Sequence, residues 1–106
     1  MGLQVQAKDR GGSVDIQIID DENPDIDVAS CWVTDSRCIW GVRVHEDYRG
    51  RGIGHLLMQE VVRQGGKELG VAPFGPNPLT REQTAAFYEK HGFKRVDDYT
   101  WKMVRN

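Results

Sequence analysis

The chain has 106 residues, 39% of them hydrophobic and 28% charged, which suits one soluble globular domain with one modest core. A net charge of −2 gives no reason to expect a bulk nucleic-acid binder, and no apolar run is long enough to span a membrane. The N-terminus, Met1-Gly2-Leu3-Gln4-Val5-Gln6, has neither the basic start and apolar stretch of a signal peptide nor the Ser or Thr of a myristoylation signal.

Leu3 to Lys8 alternates and is predicted as a short strand, followed by a turn at Arg10-Gly11-Gly12-Ser13. Val14, Ile16 and Ile18 alternate with Asp15 and Gln17, the pattern of a half-buried strand. Asp20-Asp21-Glu22-Asn23-Pro24 is predicted as an acidic loop. Ile26 to Thr34 and Arg37 to Val44 are predicted as the third and fourth strands, making the first half an antiparallel meander. Gly52 to about Leu69 reads as a helix. Ile53, Leu57 and Val61 recur every four residues, with Leu56 beside them, and Gly70 is the expected left-handed stop. Gly65-Gly66 weakens the last turns by about 1 kcal/mol per glycine relative to alanine. Val71 to Phe74 is a predicted short strand, ended by Gly75-Pro76-Asn77-Pro78. Thr80 and Gln83 match a capping box for a helix over about Arg81 to His91, stopping at Gly92. Phe93 to Val96 and Tyr99 to Val104 read as a closing hairpin around Asp97-Asp98. No internal repeat or linker interrupts this order, so residues 1–106 are expected to form a single domain.

With a two-residue turn at Asp35-Ser36, Val33 faces Cys38 and Cys31 faces Trp40. The two cysteines then lie diagonally on one sheet face, a poor disulfide geometry, and are expected as reduced thiols of a cytoplasmic protein. Without a histidine pair at ligand spacing they make no zinc site. Trp32, Trp40 and Trp101 fall on predicted strands and are expected in the core or at an interface.

The most informative segment is Arg49-Gly50-Arg51-Gly52-Ile53-Gly54, between the fourth strand and the first helix. Glycines at alternate positions let the backbone approach a bulky anion closely. The helix N-terminus behind them offers unpaired N–H groups and a favourable dipole, and Arg49 and Arg51 add positive charge. The local physics is that of a pyrophosphate cradle. A Rossmann fingerprint is excluded by spacing and by the absence of a strand–helix–strand unit at this point. A P-loop is excluded because no Gly-Lys-Ser/Thr follows.

This Arg-x-x-Gly-x-Gly pattern resembles the acyl-CoA loop of the GNAT N-acetyltransferase superfamily. Downstream, Ala86-Phe87-Tyr88-Glu89-Lys90-His91-Gly92-Phe93 is similar to the family's Phe-Tyr-x-x-x-Gly-Phe stretch. The two motifs stand in family order, and the resemblance spans about Arg37 to Val104. It implies an α/β (α+β) GNAT-like fold: a mixed, mostly antiparallel sheet of about six to seven strands with two main helices. The helical pair that GNAT domains usually carry between their first two strands is missing, since only Asp9 to Ser13 fills that space. Those helices normally form a wall of the acceptor site, which here is open, completed by a second subunit, or absent.

The resemblance implies acetyl-CoA as cofactor. Arg49, Gly50, Arg51, Gly52, Ile53 and Gly54 would hold its pyrophosphate. The backbone of Val42, Arg43 and Val44 would bind the pantetheine arm and polarise the thioester carbonyl. Val42 and Val44 also read as ordinary core valines. Tyr88 would protonate the departing thiolate, against the simpler reading of a packed tyrosine. Phe87 and Phe93 read as core. The family's strand glutamate, a general base, falls near Cys38, a poor base for an ammonium. His45, Glu46 and Asp47 are loop alternatives acting through water. Asp20, Asp21 and Glu22 are acidic residues able to attract a cationic acceptor, and Asn77 is a candidate for a further cofactor contact.

Two functions follow. One is an acetyl-CoA-dependent N-acetyltransferase acting on a primary amine of a small molecule, a lysine side chain or a protein N-terminus. An open acceptor face favours a macromolecule. The other is a non-catalytic acyl-CoA-binding or protein-interaction module. A homodimer would cover an exposed edge strand, for which the N-terminal strands are the candidates.

Overall fold

The computed structural model describes residues 2–71, 80–97 and 102–105. The chain divides into two compact units, Met1–Gly66 and Lys67–Asn106.

In the first unit, β1 (Leu3–Asp9), β2 (Ser13–Asp20), β3 (Ala29–Thr34) and β4 (Ile39–Val44) form an antiparallel meander in chain order. The alternation predicted for β2 sets its faces. Ile16 and Ile18 are buried together with their neighbours on β3, Cys31 and Ala29, whereas Gln17 is exposed. The helix α1 (Ile53–Arg63) covers this apolar face with Ile53, Leu57, Met58 and Val61. Eleven residues are too few for a helix to persist alone. Burial of those four side chains, on the order of 10 kcal/mol gross, is what holds it. Leu56 was expected in the stripe but is 38% exposed, because the apolar face continues through Met58 instead.

The helix stops earlier than its periodicity suggested. Gly65 is left-handed at φ +86°, its N–H donates to Val62 O at 3.0 Å, and the Gly66 N–H donates to Val61 O at 2.9 Å. This paired C-terminal closure satisfies the last carbonyls and ends α1 at Arg63. Gly65, not Gly70, is therefore the stop.

The hairpin between β3 and β4 also differs from expectation. Arg37 is left-handed (φ 67°) and its N–H bonds Thr34 O at 2.9 Å. The turn thus takes in one more residue, and pairing becomes Val33 with Ile39 and Trp32 with Trp40. Cys31 and Cys38 are free thiols, Cys31 buried and Cys38 half-buried. Trp32 and Trp40 face away from α1 and are 43% and 56% exposed, so they are not core; Trp101 lies outside the described residues.

In the second unit, β5 (Glu68–Gly70), β6 (Lys94–Asp97) and β7 (Lys102–Val104) form a second antiparallel sheet ordered β5-β7-β6. β5 occupies residues expected in the helix's last turn and its stop. Val71 is outside any strand, and 72–79, including Asn77, lie outside the described residues, as do 98–101 of the closing hairpin. The helix α2 (Arg81–Glu89) starts on the predicted capping box: the Thr80 hydroxyl accepts from the Gln83 N–H, and the Gln83 side chain accepts from the Thr80 N–H. The helix was expected to reach about His91 and stop at Gly92, but it ends at Glu89; Gly92, at φ +90°, closes the turn that follows, with the Phe93 N–H reaching back to Tyr88 O. Leu69, Phe93 and Met103 are among the buried residues of this unit. The element order and the seven described strands match the expected mixed α+β class.

Candidate functional site

β4 delivers the chain to the glycine-rich segment through a bulge. Pairing passes from Trp32–Trp40 to Ser30–Arg43, so Gly41 and Val42 together oppose Cys31. Gly41 is left-handed (φ +66°), and a Cβ there would run into the Trp32 ring. The aromatic ring lies across a position that only glycine can fill. Beyond the bulge, Arg43 is fixed on the sheet face opposite α1: Nε donates to Ser30 Oγ and Nη2 to Asp27 Oδ2, both at 2.9 Å. Val42 and Val44 are half-buried rather than fully enclosed.

The chain then turns sharply. His45 N–H bonds Val28 O at 2.7 Å, and His45 Nδ1 accepts the Asp47 N–H, opening a single 3-10 turn over Glu46–Tyr48. Arg49 is extended and its Nε donates to Val44 O at 3.2 Å. Gly50 (φ +78°) and Gly52 (φ +76°) are both left-handed, a conformation costing other residues roughly 1–2 kcal/mol. A Cβ at either glycine would meet nothing within 4 Å, so neither is there to make room for the protein's own packing. Gly52 caps α1 with no side chain, and no acidic residue lies in the first turn. Ile53 is buried under the sheet and Gly54 is half-buried in that turn. The first-turn amides of a helix lack intrahelical acceptors, so this end of α1, with Arg49 and Arg51 beside it, is suited to an anion.

Sequence reasoning missed what holds this loop in place. Asp20, assigned to the acidic loop, is the last residue of β2 and only 2% exposed, while Asp21 and Glu22 are exposed. Its Oδ2 accepts the Tyr48 hydroxyl at 2.8 Å, and its Oδ1 accepts the Glu22 N–H at 3.0 Å. The Glu22 N–H first, then the Tyr48 hydroxyl, hold the Asp20 carboxyl below its ordinary range. The same hydrogen bond, with burial, pushes the Tyr48 phenol up. Tyr48 is buried at the end of the 3-10 turn, with the Arg51 guanidinium 5.4 Å from its ring centroid. The available signal was the period of β2, which carries Ile16, Ile18 and then Asp20 onto one face.

In the second unit, Tyr88 is a buried residue of α2, packed edge-to-face on Phe87 (5.3 Å) and Phe93 (6.2 Å). Phe93 is core as expected; Phe87 is half-buried and also meets the His91 ring at 5.3 Å. Among the base candidates, His45 is engaged at Nδ1, Glu46 and Asp47 are exposed, and Cys38 Sγ receives the Ser36 hydroxyl at 3.6 Å. Among the described residues no cluster of three or more His, Cys, Asp or Glu is arranged for a metal, and no helix is long and apolar enough to cross a membrane.

Residues 12–95 match the family model of the acetyltransferase (GNAT) domain. No curated protein sequence matches the chain. Among solved structures, the chain is similar to a crystal structure described as an acetyltransferase from Exiguobacterium (TM-score 0.67, 15% identity, covering 98% of this chain and 91% of that one). It is also similar to a GNAT-family acetyltransferase of Staphylococcus aureus (TM-score 0.61, 17% identity, 90% of this chain and 68% of that one). A third is the GNAT-family N-acetyltransferase YhbS of Escherichia coli, in complex with CoA (TM-score 0.53, 16% identity, 87% and 57%). At these identities the likeness is one of fold. The family model, spanning both motifs and most of the length, carries the assignment: the chain belongs to the GNAT acetyltransferase family.

Proposed function

We propose that this chain is an acetyl-CoA-dependent N-acetyltransferase acting on a primary amine, and that its two units work as one acetyltransferase domain. The observation that carries it is the left-handed pair Gly50 and Gly52, leading into an α1 whose N-terminus has no side-chain cap. Acetyl-CoA would supply an activated acyl group and a thiolate leaving group. The first-turn amides of α1 and the segment Arg49 to Gly54 would hold the pyrophosphate, the arginines contributing charge-assisted contacts. The backbone of Val42, Arg43 and Val44 would hold the pantetheine arm, a main-chain N–H polarising the thioester carbonyl. The bulge at Gly41 supports this use of β4, because it re-aims the strand immediately before these residues. A neutral amine would attack the carbonyl carbon, forming the C–N bond as the C–S bond breaks, with the amine's surplus proton passing to water. Tyr88 would give its phenolic proton to the thiolate and regain one from water, which restores the phenol. Two free thiols fit a reducing, cytoplasmic setting.

A non-catalytic acyl-CoA-binding module is the second reading. The three-residue connection Arg10–Gly12 between β1 and β2, where the family usually carries helices, favours it, as does Cys38 near the place of the strand glutamate. An assay of thiol release from acetyl-CoA, run with a polyamine, an aminoglycoside, lysine-rich peptides and free N-terminal peptides, tests the enzyme reading. Acceptor-dependent thiol release supports it. Binding of acetyl-CoA with no release above the uncatalysed rate for any amine supports the module.

A further inference from the structure

We propose that Asp20 and Tyr48 are positioning residues of the cofactor loop: Asp20 pins the Tyr48 ring, and the ring holds Arg51 ready for phosphate. The proposal rests on the acyl-CoA reading above and deepens it. Arg51 stands between Gly50 and Gly52, both left-handed, so its neighbours have no side chains to direct it. A guanidinium free to sample many rotamers loses entropy when a phosphate orders it, and that cost falls if the protein has already oriented it. The Tyr48 face supplies such a support, with Arg51 Cζ 5.4 Å from the ring centroid. The ring in turn has two contacts that hold it. His45 packs edge-on at 5.9 Å, and the hydroxyl is tied at 2.8 Å to a carboxylate 28 residues earlier in the chain.

Asp20 is itself fixed, since its two oxygens take two different donors, the Glu22 N–H and the Tyr48 hydroxyl. Volume alone does not explain the pair. Phenylalanine beside an apolar residue would fill the space without burying a carboxylate, which is costly unless hydrogen-bonded. The hydrogen bond adds position: it ties the end of β2 to the residue just before the glycine-rich segment.

The test is the affinity for CoA, by calorimetry, of the wild type and of Tyr48→Phe, Tyr48→Leu, Arg51→Ala and the Tyr48→Leu/Arg51→Ala double variant, with thermal unfolding measured alongside. Tyr48→Leu is expected to weaken binding about tenfold and Tyr48→Phe about threefold. In the Arg51→Ala background the Tyr48→Leu effect should shrink to less than about twofold, because the support then has nothing to hold. Asp20→Asn, which keeps an acceptor for the Glu22 N–H and a polar partner for the phenol, should recover most of the affinity that Asp20→Ala loses. An undiminished Tyr48→Leu loss without Arg51, or wild-type affinity in Tyr48→Leu, overturns the proposal. If Tyr48→Leu does not fold, Tyr48→Phe in both backgrounds decides by the same criterion. A wild type that does not bind CoA fails at an earlier step, removing the acyl-CoA reading and this proposal with it.

Discussion

The Tyr48 hydroxyl donates to Asp20 across 2.8 Å, joining the turn before the glycine-rich segment to the far end of β2. The pair makes stability depend on pH at both extremes. Asp20 titrates below its ordinary value when folded, so its contribution is present above about pH 4 and is lost as pH falls through the lowered value. Tyr48 titrates above its ordinary value, so its contribution is present below about pH 10 and is lost as pH rises through the raised value. Urea midpoints measured across pH should show an acid limb that Asp20→Asn flattens and an alkaline limb that Tyr48→Phe flattens. Superimposable profiles would contradict the contact.

Gly41 and Gly50 are both left-handed, yet they should respond differently to alanine. At Gly50 the added methyl meets nothing, so Gly50→Ala should cost only the backbone term, roughly 1–2 kcal/mol in denaturant unfolding. At Gly41 the methyl displaces the Trp32 ring as well, adding about 1 kcal/mol or more. In a Trp32→Ala background that excess should vanish. Equal costs at the two glycines would contradict the close approach of the ring.

Burial pushes the Cys31 thiol up to about 12. Against an ordinary value of 9.0, its thiolate fraction near neutral pH falls on the order of a thousandfold. Ellman's reagent should therefore titrate Cys38 in the native protein and reach Cys31 only on unfolding. Rapid labelling of both thiols under native conditions would contradict the packing of β3 under α1.

Much of this architecture was legible because its local signals agree with its tertiary ones. The Thr80–Gln83 capping box declares a helix start through two local side chain–backbone hydrogen bonds and formed as read, whereas Gly92, expected as the helix stop, closes the turn after a helix that ends at Glu89. The junction at the glycine-rich segment was legible as a passage from strand to helix near Gly52, because alternate glycines precede an amphipathic run; the left-handed state of Gly50 and Gly52 is what the structure adds. What was misread depends on one residue's backbone state. A left-handed Arg37, which costs a non-glycine residue energy and has no sequence signature, shifts the β3–β4 register by one. Two consecutive glycines were read as weakening a longer helix, when Gly65 closes it and Gly66 completes the closure. Asp20 was assigned to the loop for its charge, although the β2 period points it inward, because the partner that neutralises the cost of burial lies 28 residues away. Trp32 and Trp40 were expected in the core or at an interface; their exposure removes the core, and the face they stand on has no covering element among the described residues of their unit.

Tyr88 separates the two functional readings. As proton donor to the thiolate, its replacement in Tyr88→Phe should lower kcat by roughly 10²- to 10⁴-fold while leaving CoA affinity unchanged. Because the residue is buried against Phe87 and Phe93, the conservative ring keeps that packing. Unaltered turnover in Tyr88→Phe would remove the tyrosine from the chemistry. A fall in affinity equal to the fall in kcat/KM would assign it to binding instead.

Calorimetric titration of the protein with acetyl-CoA, beside an Arg49→Ala/Gly52→Asp variant, tests the central claim most directly. The account predicts saturable one-to-one binding by the wild type and its loss in the variant, where an arginine is removed and a carboxylate is set against the helix N-terminus. No heat of binding in the wild type, or equal binding by the variant, would contradict the claim that the Arg49–Gly54 segment is an acyl-CoA cradle.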